Sequence, residues 1–150
     1  MRGKLARIGL AMFCLTSAGV ADEQKPMTTE QRMQARFPQL VRVGDLIGMP
    51  VLDDSASTLG HVREVVRTKQ DKIELIVAYG GFLGWGARPV AVPLDVVGIA
   101  GRHLSSLDMP RSEYAAAPTW TPTLPDAGAQ LPADAIIRVA LSAALIAIGA

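Results

Sequence analysis

Between Val41 and Met109 the chain breaks into short apolar runs separated by turn residues at roughly 8 to 12-residue intervals, and this spacing limits the fold more than any other feature. Runs so short leave no room for helices of ordinary length, so a sandwich or barrel of strands is expected. Ile73, Leu75, Val77 and Tyr79 alternate with Lys72, Glu74, Ile76 and Ala78, which gives one buried face. Val90, Val92 and Leu94 repeat the alternation. Pro89 and Pro93 flank that strand and place it at an edge or a sharp bend, because proline cannot donate to a ladder. Between Leu59 and Arg67 the apolar phase slips from Val62 to Val65, the mark of a β-bulge that bends a strand. Residues 96–100 and 104–109 complete about six strands, with turns at 53–57, 69–71 and 101–103. The expected fold is mainly β, a small antiparallel barrel over residues 41–117.

The flanks read differently. Met1-Arg-Gly-Lys-Leu-Ala-Arg7 is basic, an apolar stretch follows, and small residues reach Ala21 before Asp22-Glu-Gln-Lys, so residues 1–21 read as a cleaved signal peptide. The apolar stretch is too short to span a bilayer, which needs about 20 residues. Residues 22–40 are polar and carry one short helical pattern, with Thr28 and Gln31 as a capping box and Pro38 as its end. Pro110 to Pro118 bracket a second short helix. Residues 118–133 hold Pro118, Pro122, Pro125 and Pro132 without periodicity, and predict an extended Pro-rich linker. In residues 134–150, Asp134, Arg138 and Ser142 form a narrow polar stripe at i, i+4 spacing on an otherwise aliphatic segment. The expectation is an apolar C-terminal helix capped by Asp134. Its faces Ile136, Ile137, Leu141, Leu145 and Ile148 are candidates for membrane contact, for a homo-oligomer, or for docking on the barrel. A tether of this kind predicts that deleting residues 134–150 leaves the barrel folded.

Removal of the leader takes Arg2, Lys4 and Arg7 with it and leaves 12 basic against 14 acidic residues. Neither an excess nor a cluster of Lys and Arg remains, which argues against nucleic acid as a partner. The one cysteine, Cys14, lies inside the leader, so disulfide, thiolate and Cys-metal chemistry are absent from the exported part. Phe13 beside it argues against lipid attachment there. None of Ser55, Ser57, Ser105, Ser106, Ser112 and Ser142 sits in a Gly-x-Ser-x-Gly elbow, and adjacent Asp53 and Asp54 would point to opposite faces of a strand. No active site, metal site or cofactor site is expected. Asp53, Ser55, Ser57, Leu59, His61 and Glu64 do fall on the ligand positions of a calcium loop, but Thr58 stands where that loop needs glycine, and a solvated hairpin turn is the plainer reading. His61 and His103, the two histidines, share no ligand spacing.

Four motifs in order, Leu46-Ile-Gly-Met-Pro-Val-Leu-Asp-Asp54, Leu59-Gly-His-Val-Arg-Glu-Val-Val66, Gly80-Gly-Phe-Leu-Gly-Trp-Gly86 and Val90-Ala-Val-Pro-Leu-Asp95, resemble the PRC-barrel family. That is the β-barrel domain of the photosynthetic reaction-centre H subunit and of the RimM-type ribosome-maturation factor. Tyr114-Ala-Ala-Ala-Pro118 is similar to the family's exit from the barrel. The resemblance implies a non-catalytic adaptor, a surface on which a larger assembly is organised. Residues 80–87 are the candidate partner site, since Phe82, Leu83 and Trp85 sit among four glycines in a strand connection. The alternative is that Phe82 and Trp85 fold down to plug the barrel end. Gly48, Gly60, Gly80, Gly81, Gly84 and Gly86 are the expected structural glycines. The sequence therefore leads to an exported, periplasmic adaptor for a protein or envelope component, with a small-ligand or metal carrier as the alternative.

Overall fold

A computed structural model describes residues 38–81 and 85–142. The expected leader, the expected helix before Pro38, and Phe82, Leu83, Gly84, Leu145 and Ile148 lie outside the described residues. In chain order the elements are β1 (Gln39–Arg42), α1 (Val43–Leu46), β2 (Pro50–Leu52), β3 (Thr58–Arg67), β4 (Ile73–Tyr79), β5 (Arg88–Pro93), a 3-10 turn (Leu94–Val96), β6 (Val97–Ala100), β7 (His103–Ser106), α2 (Arg111–Ala116), β8 (Ala129–Gln130) and β9 (Ile136–Leu141).

The bend expected in β3 is present. Its pairing with β4 shifts register between Val62 and Glu64, so Arg63 is the extra residue of a bulge. The bend divides the strand between two neighbours on one edge. Its first half pairs with β2, and its end, Val66 and Arg67, pairs with β8. On the other side β4 and β5 form a regular antiparallel hairpin ladder from Glu74↔Pro93 to Tyr79↔Arg88. As its two prolines require, β5 is a terminal strand of the sheet.

Strand order is β1-β9-β6-β7-β2-β3-β4-β5, with β8 on β3. Two departures from the expected antiparallel barrel stand out. The sheet is mixed, since β2 runs parallel to β7 and β9 parallel to β6. It is also open: among the described residues no ladder joins β5 to β1. Local alternation identifies strands but carries no information about pairings between distant segments, and both parallel pairs join segments that are far apart in the chain.

The main core collects Val43, Leu46, Val51, Leu59, Val62, Val65, Leu75, Val77, Val90, Val92, Leu104, Tyr114, Ile137 and Val139. Each such side chain contributes about 1.5–3 kcal/mol on burial. The alternation on β4 puts Leu75 and Val77 in this core as expected. Ile76, on the opposite face, is also fully buried. Its cover comes from residues 118–133, which are not a spacer. The Trp120 N–H donates to Pro89 O at 2.7 Å, the Trp120 and Ala127 side chains pack with Val66 and Ile76, and the Leu131 N–H donates to Val65 O. The segment is a strap across the outer face of β3, β4 and β5.

The C-terminal helix is also corrected. Residues 136–141 form β9, antiparallel to β1 and parallel to β6. Ile137 and Val139 enter the core, and Ile136 and Arg138 face out. A six-residue run that is half β-branched gains more from filling the gap between β1 and β6 than from a helix whose apolar faces would lack cover. The chain entering β9 also serves α1, because Ala135 O and Ala133 O accept the Val43 and Gly44 N–H groups at 2.9 and 2.8 Å.

Candidate interaction site

The Tyr114–Pro118 motif fastens α2 to the sheet. Tyr114 on α2 is fully buried, its ring stacked on Tyr79 with centroids 5.7 Å apart, and its hydroxyl lies 3.2 Å from Ser106 Oγ. Burial pushes the Tyr114 phenol up from its ordinary value, and the Ser106 hydrogen bond partly opposes this. At the C-terminal end of α2, the Arg88 guanidinium donates to the carbonyls of Tyr114 and Ala115, each at 2.7 Å, and to that of Ala117. Three carbonyls left without intrahelical partners are thus covered by one planar fork. The same guanidinium lies 5.5 Å from the Tyr79 ring centroid.

At the N-terminal end of α2, Arg111 donates Nε and Nη2 to Asp53 Oδ2 at 3.0 and 2.8 Å. The other oxygen of Asp53 accepts the Ser55 hydroxyl and the Ser55 and Ser57 N–H groups, which ties the 53–57 turn. The Ser55 hydroxyl, Arg111 and the backbone N–H groups hold the Asp53 carboxyl well below the usual range, at about 2. These bonds answer the calcium-loop reading. Asp53 is committed to Arg111, the Leu59 carbonyl accepts the Gly80 N–H, and the Leu59 side chain is in the core. His61 and Glu64 lie on β3, on either side of the bulge at Arg63. A cleft of about 210 Å³ beside this turn is lined by Asp53, Asp54, Ser106 and Asp108. That is below the range of about 300–1,000 Å³ usual for small-molecule sites, whereas a wider, more open groove between Arg67–Lys69 and the strap at Pro122–Ala129 reaches about 650 Å³.

The β4–β5 connection is where the sequence places its partner site. Gly80, Gly81 and Gly86 adopt φ of 71°, 80° and 75°. At Gly81 a Cβ would lie 2.6 Å from Trp85 O and 2.8 Å from Ala87 N, so the two sides of the loop approach each other more closely than any side chain allows. Trp85 emerges from this pinch 83% exposed. It does not fold down as a plug. Gly60 has a different role: it is buried in β3 with Ala78 O 2.1 Å from where a Cβ would stand. Gly48 has φ of 86° in the turn before β2.

Of the proposed tail contacts, Ile137 is a core residue, Leu141 is half-buried, and Ile136 is 62% exposed. Sequence reasoning did not find the surface that Ile136 belongs to. It is paired with Arg42 across the β1–β9 ladder, and the neighbouring pair is Leu40 with Arg138. Leu40 is 71% exposed. These four residues form one outward patch whose members are about 100 positions apart in sequence, so no local pattern could reveal it.

The family model of the PRC-barrel domain matches residues 38–104, bearing out the resemblance carried by the four motifs. α2, the strap and β9 lie beyond the matched stretch. No curated protein matches the chain.

Proposed function

We propose that this protein is an exported, non-catalytic PRC-barrel adaptor that holds a protein or envelope partner through the β4–β5 loop. The family match supports an interaction module, and the 83% exposure of Trp85 on a glycine-pinched loop is the observation that carries the site. An indole held in water costs solvation with no packing in return, and tryptophans placed this way are over-represented among the residues that dominate binding. The contrast with Trp120, 9% exposed under the strap, shows that the fold can bury the side chain where burial serves stability. The leader-like pattern of residues 1–21 supports delivery to the periplasm, where a mature chain without cysteine forms no unwanted disulfides.

The test is quantitative capture from envelope extracts with wild type and Trp85→Ala side by side. A partner retained by wild type and lost by the variant, with an unchanged amide NMR spectrum away from the loop, is the expected result. Truncating a central interface tryptophan usually costs about 2 kcal/mol or more. Equal capture by both proteins would remove the loop from the interface.

A further inference from the structure

The two ends of the sheet are treated differently. At β5 the edge is closed: Pro89 and Pro93 offer no N–H, and Pro89 O is taken by the Trp120 amide. At β1 nothing comparable is present among the described residues. The Val43 N–H donates to Ala135 O, so by alternation Val41 and Gln39 also direct their backbone groups toward β9. The N–H and C=O of Leu40 and Arg42 then face away from β9, along the free edge. The side chains of these two residues stand on the outer face, Leu40 beside Arg138 and Arg42 beside Ile136. Neither Arg42 nor Arg138 has a carboxylate partner among the described residues.

We infer that the free edge of β1 is a strand-addition site for an extended peptide carrying aliphatic and acidic side chains at i and i+2. An added strand would pair its backbone with Leu40 and Arg42. The residue opposite Leu40 meets an aliphatic side chain with Arg138 behind it, and the residue opposite Arg42 meets a guanidinium with Ile136 behind it. Opposite charge at directly paired positions stabilises a sheet, and like charge destabilises it. A second copy pairing β1 with β1 would bring four arginines onto one face, so the charge pattern favours an acidic partner strand over self-pairing. This site is independent of the Trp85 loop, which joins β4 to β5 at the other end of the strand order.

The probe is a capped hexapeptide Thr-Val-Thr-Glu-Thr-Thr, which carries valine and glutamate two positions apart on one strand face, with the counterpart bearing lysine for glutamate as control, titrated into the full chain and followed by amide NMR and fluorescence anisotropy. Binding of the glutamate peptide with shifts centred on Leu40 to Arg42 is expected, with none for the lysine peptide. Arg42→Glu should weaken the glutamate peptide by at least about tenfold and create binding of the lysine peptide. Leu40→Pro removes an outward donor, leaves the donors toward β9 in place, and should abolish binding of either. Absence of binding, or shifts confined to the Trp85 loop, overturns the proposal. So does Leu40-dependent self-association in sedimentation, which would assign the edge to a second copy. Arg42-dependent binding to phosphatidylglycerol vesicles without peptide binding would assign the face to lipid instead.

Discussion

Asp53 joins two parts of the molecule with one carboxylate, tying its own turn through Ser55 and Ser57 and fastening α2 through Arg111. Because its folded pKa of about 2 lies below the ordinary 3.8, the stabilisation is fully present above about pH 4 and is lost as pH falls toward 2. Glu74 opposes this trend. Burial raises its pKa, so its share of stability is greatest when protonated and declines as pH rises above the ordinary carboxylate range. Urea midpoints of wild type and Asp53→Asn should therefore differ by a constant amount above about pH 4.5 and converge toward pH 2; a gap that stays the same across that range removes the assigned role. Gly60 makes a steric argument instead. A methyl group there meets the Ala78 carbonyl, and backbone cannot move aside as a flexible side chain would. Gly60→Ala should cost about 1–3 kcal/mol, the usual range for overpacking, measurable as a lowered urea midpoint with unchanged slope.

At the scale of elements, the strands from β2 to β7 were legible because each announces itself locally: Leu75 and Val77 by alternation, Arg63 by the slip in phase, β5 by its prolines. The strap and β9 were not, for a physical reason. Proline-rich residues 118–133 lack periodicity whether they float or lie on a surface, and Ile136-Ile-Arg-Val is compatible with helix or strand until a neighbour is known. The candidate site divides the same way, since Trp85 is conspicuous in a glycine loop whereas Leu40 and Ile136 become neighbours only across a ladder. Trp120 holds the strap down and can be tested on its own. Its ring is buried against Val66 and Ile76, but Nε1 finds no acceptor among the described residues. Trp120→Ala should lose about 3 kcal/mol and speed amide exchange at Gln130 and Leu131. Trp120→Phe keeps an apolar ring and discards the unpaired donor, so its thermal midpoint should stay close to wild type.

For the whole molecule, the position of β9 means that the end of the described chain completes its beginning. β1 pairs only with β9 among the described residues, and β9 in turn covers the edge of β6. The tether reading held that residues 134–150 are dispensable for folding; the topology reverses that expectation. Removing them takes Ile137 and Val139 from the core, leaves β1 with no ladder, and deprives the Val43 N–H of the Ala135 carbonyl. Two deleted core side chains alone forfeit about 3–6 kcal/mol, which is comparable to the entire stability of a small domain. The truncated chain should show no cooperative urea transition, bind a hydrophobic dye, and lose dispersion at the amides of β1 and β6, whereas Ile136→Ser, which alters only the outward face, should melt like wild type. A truncated protein with the full-length midpoint would mean that β9 lies on the sheet without helping to hold it. It would also leave the β1 edge without the ladder that positions Leu40 and Arg42 for an incoming strand.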